Sequence, residues 1–239
     1  MKSIFLFLTS FVTLISYAQF ETISGSGHVK SETRNVGSFT SLSVTGSMNV
    51  HVKYGQPGIV SLEADDNLLP HIETIVEDGK LYIRSKKKAI LKSKSKIVVY
   101  VTANTLNTVS LNGSGNLKGE GNFQASGKNN ITLSGSGNLS LSYASLGSVN
   151  LTLSGSGNMN VKGTSAKSIS ATISGSGNID ASTIAASDVT AVISGSGNIR
   201  VNASNSLDAV VSGSGNIYYK GAATKISTKA VGSGKVLKA

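Results

Sequence analysis

The sequence predicts an all-β fold, a right-handed parallel β-helix with coils of about 20 residues, and three observations predict it. The first is a repeat. Ser154-Gly155-Ser156-Gly157-Asn158 returns at Ser134–Asn138, Ser174–Asn178, Ser194–Asn198 and Ser212–Asn216. Asn112–Asn116 carries Asn in the first place, and Val231–Lys235 is a decayed last copy. The first glycines stand at 113, 135, 155, 175, 195, 213 and 232, so the steps are 22, 20, 20, 20, 18 and 19 residues. That period is too short for a pair of helices, which needs more than about thirty residues. The second observation is strict alternation. Val149, Leu151, Leu153, Gly155, Gly157, Met159 and Val161 are separated by Asn150, Thr152, Ser154, Ser156, Asn158 and Asn160, which is the period of a strand. The third is that Pro57 and Pro70, the two prolines of the chain, both lie outside the array, where a proline would delete a ladder bond.

Stacked coils place equivalent residues one strand spacing apart, about 4.8 Å. Aliphatics then pile up inside, while Ser, Thr and Asn form ladders outside. The corner glycines Gly113, Gly115, Gly135, Gly137, Gly155, Gly157, Gly175, Gly177, Gly195, Gly197, Gly213 and Gly215 let the backbone bend toward the axis or approach the opposite wall. Asn116, Asn138, Asn158, Asn178, Asn198 and Asn216 are expected to form an amide ladder from coil to coil. Right-handedness follows from the rule for crossovers between parallel strands.

Residues 1–18 read as a signal peptide. Lys2 precedes the apolar run Ile4–Ile15, and Ser16-Tyr17-Ala18 is a small-x-small cleavage site, so Gln19 begins the mature protein. The run is too short to span a membrane. The chain has no Cys, so an exported form is held by its ladders and core without disulfides. Residues 19–105 read as wider, irregular coils of the same domain, with a separate small β domain as the rival reading. Ser24-Gly25-Ser26-Gly27-His28 is an isolated copy of the corner, and Gly46-Ser47-Met48-Asn49 a degenerate one. Ile59–Ala64, Thr74–Glu77, Lys80–Arg84 and Lys96–Thr102 read as strands. Glu77-Asp78-Gly79-Lys80 reads as a hairpin turn. Asp66–His71 reads as a short helical turn capped by Asp65 or Asp66. Residues 106–239 form the regular array, about nine coils in all with the irregular half. Lys225, Lys229, Lys235 and Lys238 protect its last, unpaired edge.

Few chemistries fit this composition. The array is poor in acids, and Asp208 falls in line with Thr190, Ser170 and Asn150. Asp180 falls in line with Arg200, which predicts an outward, solvated ion pair. His28, His51 and His71 all lie in the first third, away from the repeated serines, so no catalytic triad emerges. Calcium-binding β-rolls place Asp after their glycines; here Asn stands there, so no metal and no cofactor is expected. The chain carries +10, and +9 once Lys2 leaves with the signal. Arg84, Lys86, Lys87, Lys88, Lys92, Lys94 and Lys96 make a basic run. It suits an anionic glycan, lipopolysaccharide or an acidic envelope protein. Its plainer reading is a solvated, lysine-protected edge. Nucleic acid is not expected, because no aromatic residues interleave with the charges in the manner of single-strand binders.

The corners Gly177-Asn178-Ile179 and Gly197-Asn198-Ile199, with Phe39–Val52 and Leu62–Leu81 including Ala64-Asp65-Asp66-Asn67-Leu68-Leu69, resemble the head GIN domain family. That family is described as "putative auto-transporter adhesin" and belongs to bacterial envelopes. The resemblance covers most of the mature chain. It implies a right-handed parallel β-helix and a surface role, and it carries over no site residues. An auto-transporter has a translocating barrel, and no stretch here reads as one. The function expected is therefore an exported, non-enzymatic envelope module for adhesion or interaction, in the periplasm or at the cell surface. Two alternatives stand beside it. One is a carbohydrate-active enzyme built on Glu63, Asp65, Asp66, Glu73, Glu77 and Asp78 of the irregular half, which requires that three of these carboxylates share a cleft. The other is a structural spacer.

Overall fold

The computed structural model describes residues 20–239, so the signal segment lies outside the described residues. The earlier regular coils consist of two strands meeting at a Gly-Ser-Gly corner, as Ser148–Gly155 and Asn158–Lys162 do around Ser156 and Gly157. Further along, Asn178–Gly195 and Asn198–Gly213 each run as one long strand from corner to corner. Equivalent strands of successive coils pair in parallel and in register. Val149, Leu151 and Leu153 lie beside Ile169, Ala171 and Ile173, and these lie beside Val189, Ala191 and Ile193. All nine are buried. Alternation therefore does what the sequence requires of it: one phase fills the axis, the other faces water.

The solenoid has about seven turns of about 20 residues, a rod of roughly 34 Å at one strand spacing per turn. The expected nine coils overshoot, and the irregular part shows why. Ser41–Thr45 and Asn49–Tyr54 form a first coil. The chain then leaves the stack and folds back onto the far side of that coil. Lys80–Ser85 pairs in parallel with Ser41–Thr45, and Val98–Ala103 with Asn49–Tyr54. Thr108–Gly113 and Asn116–Glu120 stack on the near side, so the first coil is sandwiched. Beyond it the pairing turns antiparallel. Ile72–Glu77 joins Lys80–Ser85 through the hairpin expected at Glu77–Lys80. Ile59–Asp65 joins Val98–Ala103, and Val29–Asn35 joins Ile59–Asp65. These strands close one end of the stack without adding turns. Their inward residues, Val60, Leu62, Leu81 and Ile83, belong to the same hydrophobic core as Leu111 and Leu133.

No α-helix occurs among the described residues; Leu69–His71 is a single 3-10 turn. Neither Asp65 nor Asp66 caps it, because the capping position is Leu68 and no side chain bonds there. The two aspartates are engaged elsewhere, as described below.

One polar side chain breaks the inward phase. Asn129 lies beside Val149, is fully buried, and neither of its amide atoms finds a hydrogen-bond partner among the described residues. Later coils place Val149, Ile169 and Val189 at this point. A buried amide without partners is costly. Asn129→Val is expected to raise stability by about 1 kcal/mol, read as a higher urea midpoint; an unchanged or lower midpoint would show that the amide is satisfied.

Candidate functional site

The corner explains the residue types it repeats. The first glycine of each copy has positive φ, +122° at Gly155 and +128° at Gly175, a backbone that L side chains rarely adopt. At Gly135, Gly155, Gly175 and Gly195 its carbonyl oxygen accepts from two amides of the next coil. Gly135 O takes Ser156 N at 3.1 Å and Gly157 N at 3.1 Å, and Gly155 O takes Ser176 N at 2.9 Å and Gly177 N at 3.1 Å. The second glycine's carbonyl accepts from the Asn amide above, Gly157 O from Asn178 N at 3.0 Å. A Cβ on Gly155 would collide with the Gly135 carbonyl, and one on Gly157 with the Gly137 carbonyl. The glycines are small because the coil beneath, and not the opposite wall, occupies the space.

This stacking aligns the asparagines. Asn116 Nδ2 donates to Asn49 Oδ1 at 2.8 Å, Asn138 to Asn116 at 2.8 Å, Asn158 to Asn138 at 2.9 Å and Asn178 to Asn158 at 2.9 Å. Asn198 donates to Asn178 at 2.9 Å, Asn216 to Asn198 at 3.4 Å, and Lys235 N closes the row on Asn216 Oδ1 at 3.2 Å. A primary amide has two donor hydrogens and two acceptor lone pairs. The ladder uses one of each, which leaves one donor and one acceptor per coil at the surface. Asn49, the base of the row, was not expected, since its corner is degenerate; Asn in the fifth place is the signal that identifies it. Flanking rows are also polar. Thr132, Thr152 and Thr172 stand in register, as do Ser134, Ser154, Ser174, Ser194 and Ser212. Asn150 Nδ2 donates to Asn130 Oδ1 at 3.0 Å on the strands before the corner, which also carry the Thr and Ser rows, whereas the asparagine row opens the strands after it.

The expected ion pair between Asp180 and Arg200 does not form, although the two are in register. Asp180 accepts from Ser182 N at 3.0 Å, and the Arg200 guanidinium lies 5.2 Å from the Tyr218 ring centre. Stacking on a ring suits a weakly hydrated guanidinium better than an exposed pair does.

The carboxylates of the irregular half do not share a cleft. Asp65 is fully buried and bound by backbone amides: Gly27 N at 3.2 Å, Lys94 N at 2.8 Å and Ser95 N at 3.3 Å. Burial pushes its carboxyl up, and the hydrogen bonds from Lys94, Ser95 and Gly27 outweigh burial and hold it below the ordinary value. Asp66 accepts from Ser26 Oγ at 2.6 Å, which is the main reason its carboxyl is also held low. Asn67 Oδ1 accepts from Ser26 N, and Asn67 Nδ2 donates to Ser24 O, each at 2.8 Å. Ser24–His28 is thus a clamp around Asp65-Asp66-Asn67. Glu73 pairs with Arg84 at 2.9 Å, Asp78 sits at the hairpin with φ +49°, and Glu63 lies opposite Ser31 in a strand pair. Among the described residues no three acids or histidines are grouped to hold a metal ion.

The basic run divides. Arg84 is bound to Glu73 and lies 5.2 Å from the Tyr82 ring centre. Lys86, Lys87, Lys88, Lys92, Lys94 and Lys96 are exposed and have no ion-pair partner among the described residues. Lys94 reaches the Ser26 carbonyl at 3.5 Å.

Fold and wall together define a β-solenoid with a periodic polar face, closed at one end by antiparallel strands. Residues 38–223 match the family described as "Putative auto-transporter adhesin, head GIN domain", and the chain belongs to it. Three solved structures are similar over almost their whole length. A "putative adhesin" from Bacteroides fragilis NCTC 9343 is 26% identical, with TM-score 0.79, over 91% of this chain and 100% of that one. A "putative lipid binding protein" from Parabacteroides distasonis ATCC 8503 is 25% identical, with TM-score 0.71, over 92% and 100%. A "putative adhesin" from Parabacteroides merdae ATCC 43184 is 22% identical, with TM-score 0.67, over 91% and 99%; that likeness speaks to the fold alone. A comparison with curated proteins gives no match.

Proposed function

We propose that this protein is an exported, non-enzymatic adhesion module of the bacterial envelope, and that it holds hydroxyl-rich polymers, a glycan above all, along its asparagine wall. The observation that carries the reading is the row from Asn49 to Asn216, in which each amide from Asn116 upward both donates and accepts within the row and keeps one donor and one acceptor free. Fixing the amides in advance lowers the ordering cost of binding. A ligand that repeats along its length meets the same pair of groups every ~4.8 Å. Each contact is weak, and many in parallel add. Membership of an adhesin family supports the same reading.

Binding of the purified protein to a panel of glycans and envelope components tests it. Binding should rise with the length of the oligosaccharide. The double substitution Asn158→Ala with Asn178→Ala should weaken it by about tenfold, without a matching loss of stability. Failure to bind any glycan or envelope component, with turnover of a polysaccharide instead, would overturn the reading.

A further inference from the structure

Glu21–Ser24 and Ala89–Lys92 form a two-stranded parallel ribbon outside the main sheet. Partners in such a pair point to the same side. On the inner side Ile23 and Leu91 are half-buried, with Leu91 packed against the core. Glu21, the ribbon's one acid, shares that inner phase with Ala89. The outer side shows Thr22 beside Ile90 and Ser24 beside Lys92. Phe20 continues the outer phase, anchored by the bond from Glu21 N to Lys88 O at 2.8 Å. Phe20 is 62% exposed and Ile90 47%. Lys86, Lys87 and Lys88 lead into the ribbon through a turn closed by Ala89 N on Lys86 O at 3.1 Å.

An aromatic and a branched aliphatic side chain are therefore exposed on a ribbon that carries Lys92 and follows Lys86, Lys87 and Lys88. These are four exposed lysines with no ion-pair partner among the described residues, while Glu21 is the one acid of the ribbon. Neither apolar group is needed by the core, and a soluble polyanion would use neither. Together they match a surface that is apolar below and anionic above. We propose that the outer face of this ribbon docks on the anionic headgroups of a lipid bilayer, with Phe20 and Ile90 entering the interface and Lys86, Lys87, Lys88 and Lys92 meeting phosphates. Ile90 and Lys92 line a groove with Gly46, Ser47 and Met48 near the base of the asparagine row, but the ribbon carries none of the row's asparagines, so failure of glycan binding would leave this proposal untouched.

The chain has no Trp, so Phe20→Trp supplies a single reporter. Vesicles of phosphatidylcholine with phosphatidylglycerol should shift its emission to the blue and co-sediment the protein, whereas phosphatidylcholine alone should do neither. Salt should weaken binding. The triple substitution of Lys86, Lys87 and Lys88 by Gln should weaken binding by about a hundredfold, on roughly fivefold per lysine. Phe20→Ser with Ile90→Ser should weaken it at least tenfold, with thermal melting unchanged because both residues are exposed. Absence of binding to the phosphatidylglycerol vesicles overturns the proposal. So does vesicle binding that survives Phe20→Ser with Ile90→Ser and is matched by a soluble polyanion such as dextran sulfate, since the patch would then be a simple polyanion site.

Discussion

Gly175→Ala is expected to destabilise the solenoid by at least about 3 kcal/mol, seen as a large fall in the urea midpoint. Two independent costs meet at this residue. Its φ of +128° is a backbone that alanine strains to adopt. Its added Cβ would also collide with the carbonyl oxygen of Gly155, which is already accepting from Ser176 N and Gly177 N. Relief by movement would break both bonds and shift the coil above. Gly127→Ala separates the two costs. Gly127 has φ +66° and open space around the position of a Cβ, so its replacement should cost only about 1–2 kcal/mol. Equal effects at the two sites would show that backbone strain alone, and not stacking, selects glycine at the corner.

Asp65→Ala should release the first strands of the chain. Its buried carboxylate is the shared acceptor for Gly27, Lys94 and Ser95. Without it three amides lose their partner at once, which costs more than losing one ordinary hydrogen bond. Amide exchange in residues 24–35 should accelerate by at least tenfold, while the regular coils keep their protection. Acid should act in the same way. The carboxyl is held below its ordinary value of 3.8 in the folded chain. Its contribution is therefore complete well above 3.8 and is lost as pH falls through the lower, folded value. Protection of residues 24–35 should fade in that window before the regular coils unfold. Simultaneous loss everywhere would mean that the clamp has no local role.

What was legible in the sequence is what repeats locally. Alternation between Val149 and Val161 fixes which residues point inward, and the spacing of the corners fixes which residues become neighbours. Val149 beside Ile169 and Asp208 beside Thr190 can both be read from the steps alone. The closing strands were not legible, because Val29–Asn35 pairs with Ile59–Asp65 across a long interval and leaves no period in the chain. Ser24–His28 shows the reverse difficulty. It has the letters of a corner, yet Gly25 packs against the Asp65 carboxylate, not against another corner. Asn49 was hidden because Met48 replaces the second glycine of its copy. The exposed face of the ribbon was half visible: the lysines stood out as a run, whereas Phe20 meets them only through the pairing of Glu21–Ser24 with Ala89–Lys92.

The glycine corners and the asparagine row both require each lap to lie in register on the one before. Cysteine pairing tests this most directly, since the chain has no Cys. Thr152 and Thr172 are register partners on the outer phase, about 4.8 Å apart and within disulfide reach. Thr152 and Val192 are two coils apart, roughly 9.6 Å, beyond that reach. Under mild oxidation Thr152→Cys with Thr172→Cys should close an intramolecular disulfide, and Thr152→Cys with Val192→Cys should keep both thiols free. Equal closure of the two pairs, or closure of the distant pair alone, would contradict the stacking on which the glycine corners and the asparagine wall both depend.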